Sequence, residues 1–483
     1  MYIGIDLGTS GVKSIAMLSS GEIVASETVS LGISRPQPLW SEQNPIDWWE
    51  ATCASIKGLK QQVDLTAVQA IGLSGQMHGA TLLNKQGDVL RPAILWNDGR
   101  CDQECRELEA AVPNSRDITG NIMMPGFTAP KVKWVANHEP DIFEQIDKVL
   151  LPKDYLRFKM TGDFASDLSD SAGTLWLDVN RRDWDDSLLV ATGLTRHHMP
   201  ALFEGNEVTG TLTPDIADQW GMSCVPVIAG GGDNAAGAIG VGITQSGQAM
   251  LSLGTSGVYL AVSDGFIANP ESALHSFCHA LPNTWHTMSV ILSAASCLKW
   301  VAGLTGFDDV GNMIKQVETQ ADKSSQVIFL PYLSGERTPH NNPNAKGVFF
   351  GMTHSTTKFE LALAVLEGVG FAFADGFDAL HVTKNVPDEV SLIGGGARSE
   401  YWRQMLADIV GLPLVYRKGG DVGPALGAAR LAMLSQSKGA MISDVCPVPE
   451  VVQRHEPDKD NQARYQAKRD VFQALYQQLN GLF

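Results

Sequence analysis

The sequence predicts an α/β protein of two lobes facing each other across a cleft, and three observations carry that reading. At 483 residues the chain is too long for one ordinary core and calls for two. The string L-G-T-S-G-V occurs at 7–12 and again at 253–258, each time between short apolar runs, so one strand–turn–strand element recurs at about half the chain length and implies a duplicated architecture. Two further apolar runs, at 225–229 and 390–393, each end in three glycines, the pattern of a buried strand opening onto a ligand-hugging turn. The boundary falls after Gly240, giving lobes 1–240 and 241–483.

Residues 2–7, 12–18 and 23–31 read as three short strands of an antiparallel meander. Its first turn, Gly8-Thr9-Ser10-Gly11, offers successive backbone N–H groups and two hydroxyls to an anion. The spacing GxxxxGK[ST] is absent and the turn leads into a strand, so this is no Walker A loop. Asp6 points toward the same turn, and a carboxylate beside a bound phosphate requires Mg²⁺ or its water shell between them; an acid in a plain glycine hairpin is the alternative. After the prolines at 36 and 38, Ser41 or Asn44 introduces a helix with Pro45 in its first turn and Trp48 and Trp49 for packing.

Val68–Ser74 is a buried strand opening onto Gly75-Gln76-Met77-His78-Gly79, and Val89–Trp96 opens similarly onto Asn97-Asp98-Gly99-Arg100. Amide, imidazole, carboxylate and guanidinium groups with an aromatic face at Trp96 suit the walls of a polar substrate pocket, or are satisfied loop residues. Residues 102–220 read as largely helical, with a helix after Pro130, a strand turning into a helix over 147–156 and a polar loop from Asp163 into a short apolar run. Trp134, Trp176, Trp184 and Trp220 are expected as core anchors, and His197 and His198 as surface or cap residues.

The run at 225–229 leads through Gly230-Gly231-Gly232 to Asp233, Asn234 and a small-residue helix. A carboxylate there suits a general base or a metal-linked acid in a crevice at the strand's carboxyl end, and equally a helix N-cap. In the second hairpin Asp6 is replaced by Ser252 and Lys13 by Tyr259, so only the first copy brings a carboxylate suited to a metal. Beyond it the sequence predicts a helix near 289–303, a polar stretch near 305–325 and a strand ending at Glu336 and Arg337, which read as a mutual pair slightly ahead of ligand contacts. A short apolar turn follows at 347–352, then a long helix from Lys358 with a stripe of Leu361, Val365, Leu366, Val369 and Phe373. Gly394, Gly395 and Gly396 let a flat base or ribose lie on main chain at the start of a helix over 400–409. A strand at 414–417, a small-residue helix over 421–432 and an amphipathic terminal helix carrying Tyr465, Val471, Phe472 and Leu475 complete the chain.

The formal net charge of −17 argues against nucleic acid or an anionic membrane as partner. It leaves room for an anionic nucleotide, because a nest of N–H groups and a metal reverse the sign locally. No export signal or membrane span is read, and seven scattered cysteines fit a reducing cytoplasm. Cys101/Cys105 and His275/Cys278/His279 lack a second ligand pair, so they read as core or edge residues before zinc ligands.

Taken in order, D6-L-G-T-S-G-V-K13, S74-G-Q-M-H-G79, I94-L-W-N-D-G-R100, G230-G-G-D-N-A-A-G237, L253-G-T-S-G257, G347-V-F-F-G-M352 and G394-G-G-A-R398 resemble the FGGY carbohydrate kinase family over nearly the whole chain. The resemblance implies the actin, hexokinase and heat-shock-ATPase type of fold, ribonuclease H-like in each lobe. Within the family it is nearest to the branch that phosphorylates D-xylulose. It departs from the glycerol kinases, which usually carry Gln where this chain has Asn234 and an Arg–Glu pair near Met77 and His78. What the resemblance implies is transfer of the ATP γ-phosphoryl group to the C5 hydroxyl of D-xylulose, with Asp233 as base at an ordinary carboxylate pKa. Met77, His78, Asp233 and Asn234 would hold the sugar, with Trp96 and Asp98 as further candidates. Gly8, Thr9, Ser10, Gly11, Lys13, Gly254, Thr255 and Ser256 would hold phosphates, and Gly394, Gly395, Gly396 and Ala397 the adenosine. Asp6 with Asp233 would orient Mg²⁺. Sugar binding would close the lobes. A cytoplasmic homodimer is in keeping with the family. Kinases for ribulose, gluconate or glycerol, and outside enzymes an ATP-switched chaperone or filament subunit, are the other classes such a chain admits.

Overall fold

The computed structural model describes residues 1–382, 386–418, 423–437 and 439–483. The first sheet is built from β1 (Tyr2–Gly8), β2 (Gly11–Met17), β3 (Ile23–Ser30), β4 (Ala70–Gly75) and β5 (Pro226–Ile228), with Val208–Thr211 at its edge. Its order is β5-β4-β1-β2-β3, the meander antiparallel and the β1–β4 and β4–β5 pairs parallel. The second sheet uses β6 (Ala249–Leu253), β7 (Gly257–Ser263), β8 (Trp285–Ile291), β9 (Val390–Ile393) and β10 (Leu414–Arg417). Its order, β8-β7-β6-β9-β10, has the same parallel and antiparallel relations strand for strand. The duplication inferred from one hexapeptide therefore extends through five strands of each lobe.

The two hairpins are tight because Gly8 pairs with Gly11 and Leu253 with Gly257. Helix α1 (Pro45–Lys60) starts where the Asn44 side chain accepts the N–H of Ile46 at 3.1 Å, with Pro45 at its first position. Helix α2 (Asp233–Gly240) follows the first triple glycine, and Gly232 rather than Asp233 is its N-cap. Helix α3 (Lys358–His381) is started by a Thr357–Glu360 capping box and buries Val365, Leu366, Val369 and Phe373. Helix α4 (Glu400–Val410) is capped by Ser399, and α5 (Gly423–Gln436) follows β10. Of the expected start of α5, Asp421 and Val422 lie outside the described residues. In the terminal helix, Lys459–Leu479, Tyr465 and Phe472 are buried while Val471 faces out.

Trp134, Trp176, Trp184 and Trp220 are core residues, and His198 closes a capping box with Thr195. Three expectations are corrected. Residues 285–291 form β8, and the helix begins at Ala295. The polar stretch near 305–325 contains a helix, Val310–Gln320, capped by Asp309. The region 163–177, read as polar loop, is buried and mostly short helix and strand.

Helix α5 comes late in the chain yet packs on the first sheet. An added Cβ at Gly4 of β1 would run into the Ala425 carbonyl, and one at Gly72 of β4 into that of Ala428. On its other side Gly427 meets the Ala236 carbonyl of α2, and Arg430 donates from Nη1 to the carbonyls of Ile239 and Gly240 at 3.1 and 3.2 Å. These backbone-to-backbone contacts seat α5 on the strands that carry Asp6 and Ser74 and on the helix that opens with Asp233.

Candidate active site

Strand β5 ends in glycines because the chain must pass close under β4: Gly230 has φ +79°, and a Cβ there would collide with the Leu73 carbonyl. The next residues place Asp233 at the first position of α2. Its Oδ1 accepts the N–H of Asn234 at 2.7 Å and the Asn234 amide at 2.9 Å, leaving Oδ2 as the free acceptor. Burial, and then the negative charge of Asp6, push the Asp233 pKa up to about 7, against the pull of the two Asn234 donors. The ordinary carboxylate pKa expected from sequence is corrected by this pairing of two half-buried acids. Asp6 is itself pushed up to about 6, chiefly by burial, and its Oδ1 is buried without a hydrogen-bond partner.

A cavity of about 290 Å³ brings Asp233 and Asn234 together with Met77, His78 and Trp96 and with Ser252, Gly254 and Ser256 of the second hairpin. His78, at φ +70°, is held by Nδ1 on the Gly173 carbonyl at 2.6 Å and packs against Phe127 with ring centroids 4.6 Å apart. Burial and the nearby Lys131 push its pKa down to about 3, so the ring is neutral. A carbonyl only accepts, so Nδ1 carries the proton and Nε2 is left as an acceptor. The same cavity is lined by Gly126, Phe127, His275, Phe277 and Arg337, none of which the sequence reading placed in a site.

Asp98 does not reach this cavity. Its carboxylate is held by Arg100 at 2.6 Å and by the Ser41 N–H at 2.6 Å, and Arg100 stacks 3.6 Å from the Trp40 ring; it shapes the 97–100 turn. Thr9 differs from expectation too. Its hydroxyl donates to Gln76 Oε1 and accepts from Trp96 Nε1, both at 2.9 Å, so it ties the first hairpin to the 75–79 and 94–100 turns and has no proton left for a phosphate. Lys13 lies opposite Asp6 across β1 and β2 and draws the Asp6 pKa down. Ser10 and Thr255 are exposed at the hairpin tips.

Gly394, at φ +88°, packs on the Leu253 carbonyl, and Gly396 sits between Leu253 and Trp402, so the second triple glycine abuts the second hairpin. Ala397 is fully buried. Gly395 has no neighbour where a Cβ would point and opens onto a cavity of about 920 Å³. The walls of that cavity are Gly396, Ser399 and Tyr401, residues Val310–Glu318 of the helix unseen in the sequence, and Gln453 and Arg454 of the edge strand. It has the size and mixed polarity of a site for a nucleoside.

Behind Asp233 lies a fully buried ionic cluster. Lys153 Nζ reaches Asp154 at 2.7 Å, Asp167 at 2.6 Å and Asp170 at 3.0 Å, and Arg157 reaches Asp154 at 2.6 Å. Burial pushes the Asp170 pKa well up, against the pull of Lys153. The cluster holds the 229–233 turn at two points: Arg157 donates to the Ala229 carbonyl, and Ser169, itself donating to Asp167, accepts the Gly232 N–H at 3.1 Å. Ser169→Ala leaves that N–H unpaired and is expected to lower kcat about fivefold, the worth of one net hydrogen bond, with KM little changed in steady-state assays.

The N-terminal domain model of the FGGY family of carbohydrate kinases matches residues 1–240, and its C-terminal domain model matches 249–435. The chain is 64% identical over 480 residues to the xylulose kinase of Escherichia coli (strain K12), covering 99% of each, and 59% identical over 482 residues to that of Klebsiella pneumoniae, covering 100% of each. The fold superposes with a TM-score of 0.95 on the crystal structure of a xyloylose kinase from Brucella ovis, 45% identical and covering 100% of both chains. Two matching domain models and full-length relatives agree with the duplicated sheets and the cavity between them: this chain belongs to the FGGY family of carbohydrate kinases.

Proposed function

We propose that the protein transfers the γ-phosphoryl group of ATP to the C5 hydroxyl of D-xylulose, giving ADP and D-xylulose 5-phosphate. The observation that carries this reading is a single small cavity in which a raised-pKa carboxylate, two residues of a polar turn and the second glycine hairpin meet. Full-length similarity to xylulose kinases supports the choice of sugar. In this reading lobes 1–240 and 241–483 supply the two walls, with α5 strapped across to the first.

Asp233 Oδ2 takes the proton of the acceptor hydroxyl as its oxygen moves onto phosphorus. A pKa of about 7 lets it accept that proton while staying largely ionised at slightly alkaline pH. Met77, His78, Trp96 and Asn234 align the sugar; alignment and charge neutralisation, rather than base strength, lower most of the barrier. The N–H groups at 8–11 and 254–256 hold phosphate oxygens, and Gly395 and Gly396 with the large cavity hold the adenosine, Gly394 and Ala397 shaping the turn behind them.

Mg²⁺ fits the residues present. Asp6 Oδ1 is a buried acceptor without a partner and Asp233 stands beside it, the sparse carboxylate set typical of Mg²⁺ that is held jointly with substrate phosphates. Bound with the nucleotide, the ion would neutralise charge on the phosphate oxygens. Asp6→Asn is therefore expected to abolish the gain in nucleotide affinity that Mg²⁺ gives the wild type, measured by calorimetric titration of ADP with and without the ion. Equal gains in both proteins would remove Asp6 from the ion's site.

Among the described residues no helix is long and apolar enough to cross a membrane, and all seven thiols are free, which supports action in a reducing cytoplasm on small substrates. The test of the function is ADP release over a panel of D-xylulose, ribulose, gluconate and glycerol. D-xylulose is expected to give the highest kcat/KM, and a higher value for another acceptor would reassign the sugar. No transfer to any of them, with nucleotide-dependent polymerisation or peptide binding instead, would point to a filament or chaperone role.

A further inference from the structure

One charged side chain lines the sugar cavity without a role in phosphoryl transfer. Arg337 stands beside His275, Phe127 and Gly126; a Cβ at Gly126 would lie 3.7 Å from its Nη2. Among the described residues its side chain makes a single hydrogen bond, from Nη1 to His275 Nε2 at 3.4 Å. The neighbouring Glu336 does not form the mutual ion pair read from sequence: Glu336 Oε1 accepts the N–H groups of Leu292 at 3.0 Å and Arg337 at 2.7 Å. Burial pushes the Glu336 pKa up to about 8, so at neutral pH it leaves the guanidinium charge largely uncompensated. The backbone here is stitched to β8, because Thr338 donates its N–H to the Val290 carbonyl and accepts the Val290 N–H on its hydroxyl, both at 3.1 Å. A guanidinium with five donors is thus held in place at the edge of the cavity with most of its donors unused. It lines the same cavity as His78 and His275, and its charge lowers the pKa of both.

The chemistry of the acceptor says what such a group meets. A 2-ketopentose closes its furanose ring by adding the C5 oxygen to the C2 carbonyl. A sugar that offers a free C5 hydroxyl to Asp233 is therefore open-chain, with a free ketone three bonds away. A ketone oxygen only accepts and a guanidinium only donates. His78 Nε2 and Asn234 Oδ1, by contrast, are acceptors suited to hydroxyls. We propose that Arg337 donates to the C2 carbonyl of the bound open-chain ketose and thereby selects ketoses over the corresponding alditols. An alditol puts a hydroxyl at C2, which must turn its proton away from the guanidinium and pair it elsewhere. The assignment rests on the proposed ketose substrate and adds the residue that reads the carbonyl.

The test compares the KM for D-xylulose with the inhibition constant of xylitol, its C2-reduced counterpart, as a competitor. It uses wild type, Arg337→Met and Arg337→Lys, each checked for unchanged ADP affinity. Wild type is expected to prefer the ketose. In Arg337→Met the KM for D-xylulose is expected to rise about 10- to 100-fold, the loss of a charged hydrogen bond, while xylitol binding shifts less than about threefold. Arg337→Lys, with charge but no planar fork, is expected to fall between. A wild type that binds the two alike, or variants in which both constants rise together, would overturn the assignment. A wild type with no activity on D-xylulose would instead overturn the substrate reading itself.

Discussion

Asp233→Asn is expected to lower kcat about 10²- to 10⁴-fold, the range for losing a positioned general base, with ADP affinity measured without Mg²⁺ unchanged because the cavity proposed for adenosine lies beside the second triple glycine. The pH profile gives the sharper readout. Burial and Asp6 push the carboxyl up to about 7, and only the ionised form accepts a proton, so wild-type log kcat/KM should climb with pH and level off above about 7. Asp6, pushed up to about 6, titrates beside it and steepens the acid limb. In Asp233→Asn both the limb and the rate should go. Stability should move the opposite way. The folded pKa lies above the ordinary 3.8, so the folded state binds the proton more tightly than the unfolded chain does. That contribution is complete at low pH and is lost as pH rises from about 4 to about 7. An amide carries no such penalty, so Asp233→Asn should melt higher than wild type at pH 8, a site trading stability for activity. A variant with near-normal turnover, or a wild-type profile flat down to pH 5, would sink the assignment of the base.

Much of this was legible because the site is written in short stretches where backbone and chemistry coincide. The two hairpins and both triple glycines need particular residues for steric reasons, and the strands before them are apolar because they are buried. Asp233 could be found as an acid following three glycines, but its raised pKa could not, since the causes are burial and then the charge of Asp6, far away in sequence. Asp98 was misread for the same reason: a polar turn residue looks alike whether it faces a ligand or is held by Arg100 and Ser41. The helix at 310–320 carried a signal that went unread, with Val310, Met313, Ile314 and Val317 at helical spacing behind the Asp309 cap. The strand at 285–291 runs into an apolar helix start, which blurred its two-residue alternation into one helical stretch. Lys153, Asp154, Arg157, Asp167 and Asp170 look like a solvated loop and helix end until packing buries all five. Arg337 hid beside Glu336, where adjacent opposite charges invite a pairing that the backbone of Leu292 pre-empts.

Gly427→Ala is expected to destabilise the protein by about 3–5 kcal/mol, the large end for a single substitution, although it adds only one methyl group. The added Cβ would fall inside the contact radius of the Ala236 carbonyl, and neither helix can yield. On one side α5 is pinned through Gly4 and Gly72 to β1 and β4, and on the other α2 is tied to it by Arg430. A shift of α2 carries Asp233 with it, and a shift of α5 displaces the strands bearing Asp6 and Ser74. Turnover should therefore fall along with the melting temperature. The control lies on the same helix pair. A Cβ at Gly237 would meet only Pro424 Cγ at 3.9 Å, an ordinary contact, and replacing glycine inside a helix by alanine gains roughly 0.5–1 kcal/mol. Gly237→Ala should thus be neutral or slightly stabilising and fully active. Were both alanine variants to melt alike, the close seat of α5 between the first sheet and α2 would not be what holds the catalytic acid in register with Asp6.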